Sequence, residues 1–232
     1  HPVAHSFPTR RSSDLAEFLA EDGHVREQVW PMRNGNFPNI GNKPDIMPGE
    51  ENTYMSYDLP WANASNTPFR LFKHYIHEGG IATPFIAYWP DKIKHHRLIH
   101  ENAHVIDIMA TCLDIAGVDY PKEFNNNPIV PLEGESLFQS LIGKDWKRRN
   151  PLAWEHEGNC AVRESYWKLV KRFPQNWELY NMEQDRTELI DLSEKNTPKL
   201  EELVNIYRNF AQRCDVANWE EIRHLAPYQD HV

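Results

Sequence analysis

The stretch Phe69-Arg70-Leu71-Phe72-Lys73-His74-Tyr75-Ile76-His77-Glu78-Gly79-Gly80-Ile81-Ala82-Thr83-Pro84-Phe85-Ile86-Ala87-Tyr88-Trp89-Pro90 decides how the rest of the chain is read. It opens on basic and aromatic residues, passes through Glu78-Gly79-Gly80 and ends in an apolar run between two prolines. The glycine pair permits positive φ and leaves no side chain in the way of a ligand or a neighbouring backbone. Residues 85–89 are short and aromatic-rich, which predicts a buried strand with Pro84 at its entrance and Pro90 at its exit. Lys73, on a glycine-rich turn before that strand, is placed to meet an anion. The same residues also describe a helix end, a turn and a core strand with a solvated lysine, and local chemistry by itself favours that plainer reading.

Composition narrows the class. The 232 residues are 40% apolar, enough for one sizeable domain despite a mean hydropathy of -0.70. The net charge of -9 argues against nonspecific nucleic-acid binding and against an anionic membrane surface. The sequence has no run of about 20 apolar residues that would span a membrane. Cys112, Cys160 and Cys214 are far apart and odd in number, so neither a disulfide framework nor a cysteine metal site is expected, and Cys112 reads as a core thiol.

Outward from the opening stretch, residues 23–68 are rich in Asn, Pro and Gly and read as a long irregular segment. Asp45, Glu50, Glu51 and Asp58 are scattered through it and read as solvated. His95, His96 and His100 sit in a basic loop and lack the convergent spacing of ligands. A helix is predicted over residues 104–116, with Val105, Ile108, Met109, Cys112, Leu113 and Ala116 as its buried stripe and Gly117 as its stop. Asp107 and Asp114 read as solvated or capping groups. Ser136 is expected to cap a short helix over 137–142, and Lys147-Arg148-Arg149 reads as a basic patch before a boundary near residue 150. Short strands over 152–156, 160–163, 167–171 and 177–180 predict an antiparallel meander. A helix over 197–214 follows, with Thr197 as N-cap and Pro198 at the first helical position. Residues 219–232 read as a tail.

The order of these pieces resembles the sulfatase family. Lys73 with Glu78-Gly79-Gly80, then Pro84 and a strand closing in Trp89-Pro90, is similar to that family's Lys-x-x-x-x-Glu-Gly-Gly-x-x-x-Pro segment. The run Trp61-Ala62-Asn63-Ala64-Ser65-Asn66-Thr67-Pro68 resembles the bacterial arylsulfatase branch. Leu132-Glu133-Gly134-Glu135-Ser136-Leu137 is similar to a shorter family landmark. Trp177-Glu178-Leu179-Tyr180-Asn181 with Asp185-Arg186-Thr187-Glu188-Leu189 resembles the family's C-terminal signature.

The resemblance implies an α/β, alkaline-phosphatase-like sulfatase fold. On this reading, residues 16–150 form the C-terminal part of the catalytic domain. Residues 151–232 form a C-terminal subdomain with a four-stranded antiparallel sheet and a long helix. It implies cleavage of sulfate esters with a formylglycine nucleophile and a calcium or magnesium ion. Lys73 would hold a sulfate oxygen, and Arg70, His77 and His156 are further candidates for contacting a sulfated small molecule or glycan. His156, flanked by Glu155 and Glu157, would have its charged form favoured; a hairpin stabilised by local pairs is the plain alternative. Export to the periplasm or beyond is a family expectation.

His5 to Leu15 matches a translated frame of a widely used sequencing adapter, so residues 1–15 are read as foreign to the fold. That sets aside Ser6-Phe7-Pro8-Thr9-Arg10, which mimics the family's Cys/Ser-x-Pro-x-Arg nucleophile motif too close to the Glu-Gly-Gly turn. The nucleophile and the metal ligands are then expected in a missing N-terminal half, leaving this chain inactive by itself. Two rivals stand beside this reading: a phosphodiesterase or phosphonate hydrolase of the same superfamily, and a noncatalytic sulfated-glycan binder.

Overall fold

The fold is taken from a computed structural model, which describes residues 3–5, 31–40, 45–47, 49–54 and 58–225. The Ser6-Phe7-Pro8-Thr9-Arg10 motif and residues 16–21 lie outside the described residues. In chain order the elements begin with β1 (Val3–His5), β2 (Asn39–Ile40), β3 (Thr53–Tyr54), α1 (Asp58–Asn66), α2 (Glu78–Ile81) and β4 (Ile86–Tyr88). They continue with α3 (Asp107–Ala116), β5 (Glu123–Phe124), β6 (Asn127–Pro128) and α4 (Phe138–Leu141). The C-terminal part holds β7 (Leu152–His156), β8 (Asn159–Glu164), β9 (Trp167–Lys171), β10 (Trp177–Asn181), α5 (Thr197–Arg213) and α6 (Trp219–Ile222).

The meander is the organising layer. Its strands lie in the order β10-β9-β8-β7, each antiparallel to the next. Side chains alternate between faces along a strand, and here the two faces have different chemistry. One carries Val162, Leu169 and Leu179, all buried under Leu203 and Val204 of α5. The other carries Ala161, Val170 and Tyr180, packed against Met182 and Ile76. By the same alternation Arg163, Lys168 and Glu178 share that second face. The sequence Trp167-Lys168-Leu169-Val170-Lys171 therefore presents one apolar face to a helix and one mixed face to the segment around Ile76.

Helix α5 begins at Thr197 as expected, but its cap lies one residue earlier. Asn196, not Thr197, is its N-cap, its side chain accepting from the Lys199 N–H, and a proline occupies the first turn. Gly117 closes α3 in the left-handed conformation with φ 65°, as read from the sequence. Ser136 Oγ accepts from the Phe138 N–H at the start of α4 and donates to Asp114.

Three expectations are reversed. Residues 23–68 contain a helix, α1, whose Ala62 packs against Phe72. Strand β4 is exposed, Tyr88 to 65%, because among the described residues its ladder partner is the three-residue β1 and no layer covers its faces. Helix α3 is turned the other way. Asp107, Ala110 and Thr111 face inward, while Val105 (71% exposed), Ile108, Met109 and Cys112 face solvent.

The inward face of α3 is polar and satisfied. Asp107 accepts from the N–H groups of His104 and Glu135 and pairs with Arg148, whose side chain is buried. Thr111 Oγ1 donates to the Asp107 carbonyl and accepts from the Leu137 N–H. Arg148, read as part of a basic patch before a boundary, is thus an internal tie between α3 and the loop before β7. Glu135 reinforces it by accepting from the N–H groups of Arg149 and Asn150.

The two kinds of apolar residue should respond differently to truncation. Leu203→Ala is expected to cost about 2–5 kcal/mol in urea unfolding, as a buried leucine leaving a cavity. Met109→Ser, on the exposed face of α3, is expected to stay within about 0.5 kcal/mol of the parent chain. Equal losses would show that the α3 stripe is covered in solution.

Candidate anion site

The Lys73 turn is held from both ends of the Glu-Gly-Gly sequence. Gly79 and Gly80 lie in α2 and are not at positive φ; their value is clearance. A Cβ on Gly79 would run into the carbonyl oxygens of Leu71 and Arg70, and one on Gly80 into those of Tyr75 and Phe72. The Gly79 N–H donates to the Arg70 carbonyl at 3.1 Å, folding residues 70–80 back on themselves. The left-handed residues are instead Leu71 (φ 65°) and His74 (φ 87°), on either side of Phe72 and Lys73.

Glu78 is anchored to the sheet by a buried charge cluster. Lys168 Nζ of β9 lies 2.9 Å from Glu78 Oε1 and 2.7 Å from Glu188 Oε1, and the Lys168 side chain is 0% exposed. The Glu78 N–H donates to Glu188 Oε2 at 2.8 Å. Burial acts to raise the Glu78 pKa, but its attraction to Lys168 and hydrogen bond with it, helped by Arg163 and Arg186, bring it below the ordinary carboxylate value. A lysine bridging two buried carboxylates leaves one negative charge in excess, and Arg186, 3.7 Å from Glu78 Oε2, lies on that side.

Arg70 and His77 are drawn into a second network on β10. His77, 1% exposed, places Nε2 3.1 Å from Glu178 Oε2. A carboxylate accepts only, so that nitrogen carries the proton. Tyr180 donates to the same oxygen at 2.6 Å. Arg70 donates to Tyr180 Oη at 3.1 Å and to the Glu188 carbonyl at 2.7 Å. Burial acts to raise the Glu178 pKa, but the His77 and Tyr180 hydrogen bonds with the His77 and Arg70 charges pull it down. Of the four residues singled out in the sequence, Arg70 and His77 thus tie the turn to the sheet.

Lys73 is half-buried and stands beside His74. His74 meets the β7–β8 turn, with Nδ1 3.0 Å from Glu157 Oε2 and its ring 5.2 Å from that of His156. The structure therefore brings His156 to the residue next to Lys73. The sequence points to Glu157 as a neighbour of His156 but gives no sign of His74, whose meeting with that turn depends on the register of β7 with β8.

Among the described residues, His74, His156 and Glu157 are the His/Cys/Asp/Glu group whose donor atoms converge, all within 4.8 Å. Two imidazoles and one carboxylate do not suit calcium or magnesium, which take several oxygens. The residues present do not fit the divalent cation that the resemblance implies. Among the described residues no helix is long and apolar enough to cross a membrane.

With this geometry in place, the chain belongs to the sulfatase family: the family model for N-sulphoglucosamine sulphohydrolase, C-terminal, matches residues 69–213. An uncharacterised sulfatase of Schizosaccharomyces pombe is 31% identical over 166 residues, covering 68% of this chain and 30% of the relative. An arylsulfatase of Klebsiella aerogenes is 29% identical over 153 residues, covering 62% of this chain and 31% of that protein. The chain thus spans about 30% of the length of these curated relatives.

Solved structures share the fold. Ps i-CgsB superposes with a TM-score of 0.56 at 23% identity, covering 69% of this chain and 36% of that one. The PsFucS1 sulfatase from Pseudoalteromonas sp. gives 0.51 at 19% identity, covering 75% and 36%. The architecture is the alkaline-phosphatase-like sulfatase fold, here with its small antiparallel sheet and long helix.

Lys168→Met should cost about 3–5 kcal/mol in urea unfolding at neutral pH, because it strands two buried carboxylates together. The acid limb is a separate test. Because the folded pKa of Glu78 is lowered, its contribution is present above the ordinary value of 4.5 and is lost as pH falls through the folded value. Glu78→Gln should therefore flatten the fall in stability below about pH 4.5, and an unchanged slope would locate the acid sensitivity elsewhere.

Proposed function

We propose that this chain is the C-terminal part of a sulfuric ester hydrolase close to the bacterial arylsulfatases, and that Lys73 binds a sulfate oxygen of the substrate. The observation that carries this reading is the fixed seat of Lys73. It lies between two left-handed residues, on a turn held by the Lys168–Glu78–Glu188 cluster, in a chain of the sulfatase family. A lysine on a backbone held in this way needs little rearrangement to meet its ligand, and a cation that need not reorganise is the one that best stabilises charge on a transferring sulfuryl group. Its ammonium group would take one oxygen as a point charge. His156, across from His74, is the candidate for a neighbouring part of the substrate. Arg70 and His77 act on the ligand through the turn that they brace.

The formylglycine nucleophile, which in its hydrated form would attack sulfur, and the oxygen ligands of a calcium or magnesium ion belong on this reading to a portion of the protein outside residues 16–232. The exposure of Ile86 and Tyr88 on β4 and of Ile108 and Met109 on α3 supports that division, because large apolar side chains left open on an element are suited to a contact face. Residues 16–150 would complete the catalytic domain with that portion, residues 151–232 would form the C-terminal subdomain, and residues 1–15 would be foreign. A sulfated glycan or small molecule is the expected ligand class. Ps i-CgsB, which shares this fold, has been solved in complex with k-i-k-neocarrahexaose.

Turnover of 4-nitrophenyl sulfate tests the reading. The 232-residue chain should show none above a Lys73→Ala control. A longer reading frame recovered from the genome upstream of Ala16 should turn over the ester, and Lys73→Ala in it should lose about 10²–10³ in kcat/KM, as for one oxyanion-type donor. Activity of the short chain above its control, or indifference of the long protein to Lys73→Ala, would overturn it.

A further inference from the structure

His74 adopts φ 87°, a backbone region that side chains seldom enter, so some contact must hold it there. Both holding contacts come from the β7–β8 turn. Glu157 and Gly158 form its two central residues with φ 51° and 80°, the pattern of a tight turn suited to twisted strands. Glu157 Oε2 lies 3.0 Å from His74 Nδ1, and Asn159 Nδ2 lies 3.2 Å from His74 Nε2.

The orientation of the Asn159 amide settles where the imidazole proton sits. Asn159 Oδ1 accepts from the Phe173 N–H at 3.1 Å, and Nδ2 donates to the His156 carbonyl at 3.0 Å. Turning the amide over would lose both bonds. An N–H group therefore faces His74 Nε2, which must accept. The proton is left on Nδ1, 3.0 Å from Glu157 Oε2, and His74 is neutral. The groups facing it are Glu157, His156, Arg172 and Lys73. Burial, outweighing Glu157 and joined by the other three, pulls its pKa below the ordinary value.

The same arrangement argues against a metal on His74, His156 and Glu157. Binding through Nδ1 would put a proton on Nε2 against the Asn159 N–H, and binding through Nε2 would expel Asn159. Ligating histidines instead donate their second N–H to an acceptor, and Lys73 and Arg172 add positive charge.

We propose that His74 is a positioning residue: a neutral Nδ1–H imidazole, clamped by Glu157 and Asn159, that fixes its neighbour Lys73 and makes the β7–β8 turn part of the anion site. This inference rests on the anion-binding reading of Lys73. Asparagine is the conservative replacement, since its Nδ2 sits where His Nδ1 does and asparagine tolerates left-handed backbone.

The test is NMR on the full 232-residue chain, reading the His74 tautomer from long-range ¹H–¹⁵N correlations and titrating the Lys73 side chain with inorganic sulfate. The expected result is the Nδ1–H tautomer, neutral down to a pH below the ordinary 6.5. Sulfate should shift Lys73 in the parent chain and in His74→Asn. In His74→Ala, and in Glu157→Ala, which leaves the Lys73 turn unmutated, binding should weaken about tenfold or more. An Nε2–H tautomer would overturn the clamp. The expected tautomer with undiminished sulfate binding in both alanine variants would overturn the positioning role. A parent chain whose Lys73 ignores sulfate would overturn the anion reading beneath it, while the tautomer still reports on the clamp independently. A visible absorption band on adding one equivalent of Co²⁺, lost in His74→Ala, would also overturn the proposal by showing a metal site.

Discussion

Lys168 between Glu78 and Glu188 is the contact on which the rest of the site depends. An isolated charge at that depth costs far more than any one apolar contact returns. Each member is tolerable only because the other two are present, and they come from three separate pieces of chain: the Glu-Gly-Gly turn, β9 and the loop after β10. The cluster therefore works as a registration device. It permits one seating of the turn on the sheet, and the glycines, with backbone oxygens where a Cβ would stand, permit no other. Glu178 repeats the arrangement on the next strand, gathering His77, Tyr180 and Arg70 on one oxygen.

The two faces of the meander divide the work. Under α5 the sheet is apolar and supplies stability through ordinary burial. Toward the turn it is mixed, with Ile76, Val170 and Tyr180 providing the packing that keeps water from the charges. That exclusion makes the ion pairs strong and also makes the loss of one partner severe. Specific geometry at Lys73 is thus built from a face that an apolar sheet would have made more forgiving.

How far the sequence disclosed this follows from where each signal resides. The meander and α5 were legible because alternation and three- and four-residue spacing are local patterns. Gly117 was legible for the same reason. The apolar stripe on α3 was also legible, but the direction in which this chain turns it was not, since burial is decided by what lies opposite. Asp107 and Arg148 looked like surface charges and became an internal pair 41 residues apart. Lys168, Glu188 and Glu178 gave no local sign at all, because a buried charge differs from a solvated one by its partner alone. Lys73 was found through a motif, whereas His74, beside it, was passed over because its partners sit on a distant turn.

The distances along the chain between these partners set an order of assembly. Lys168 is 90 residues beyond Glu78, Glu178 is 101 beyond His77, and the Glu188 side chain meets an amide 110 residues before it. Contacts of such long range form late, because a large loop must close before any of them rewards it. During synthesis from the N-terminus, the Lys73 turn emerges with none of these anchors yet made and waits until the ribosome has passed Glu188. Through that interval a strained, charged turn stands without the sheet that seats it. The residues from Lys168 to Glu188 are therefore what converts an open turn of cations and glycines into a shaped site, and a ribosome halted before Glu188 would release a chain carrying the lysine without its seat.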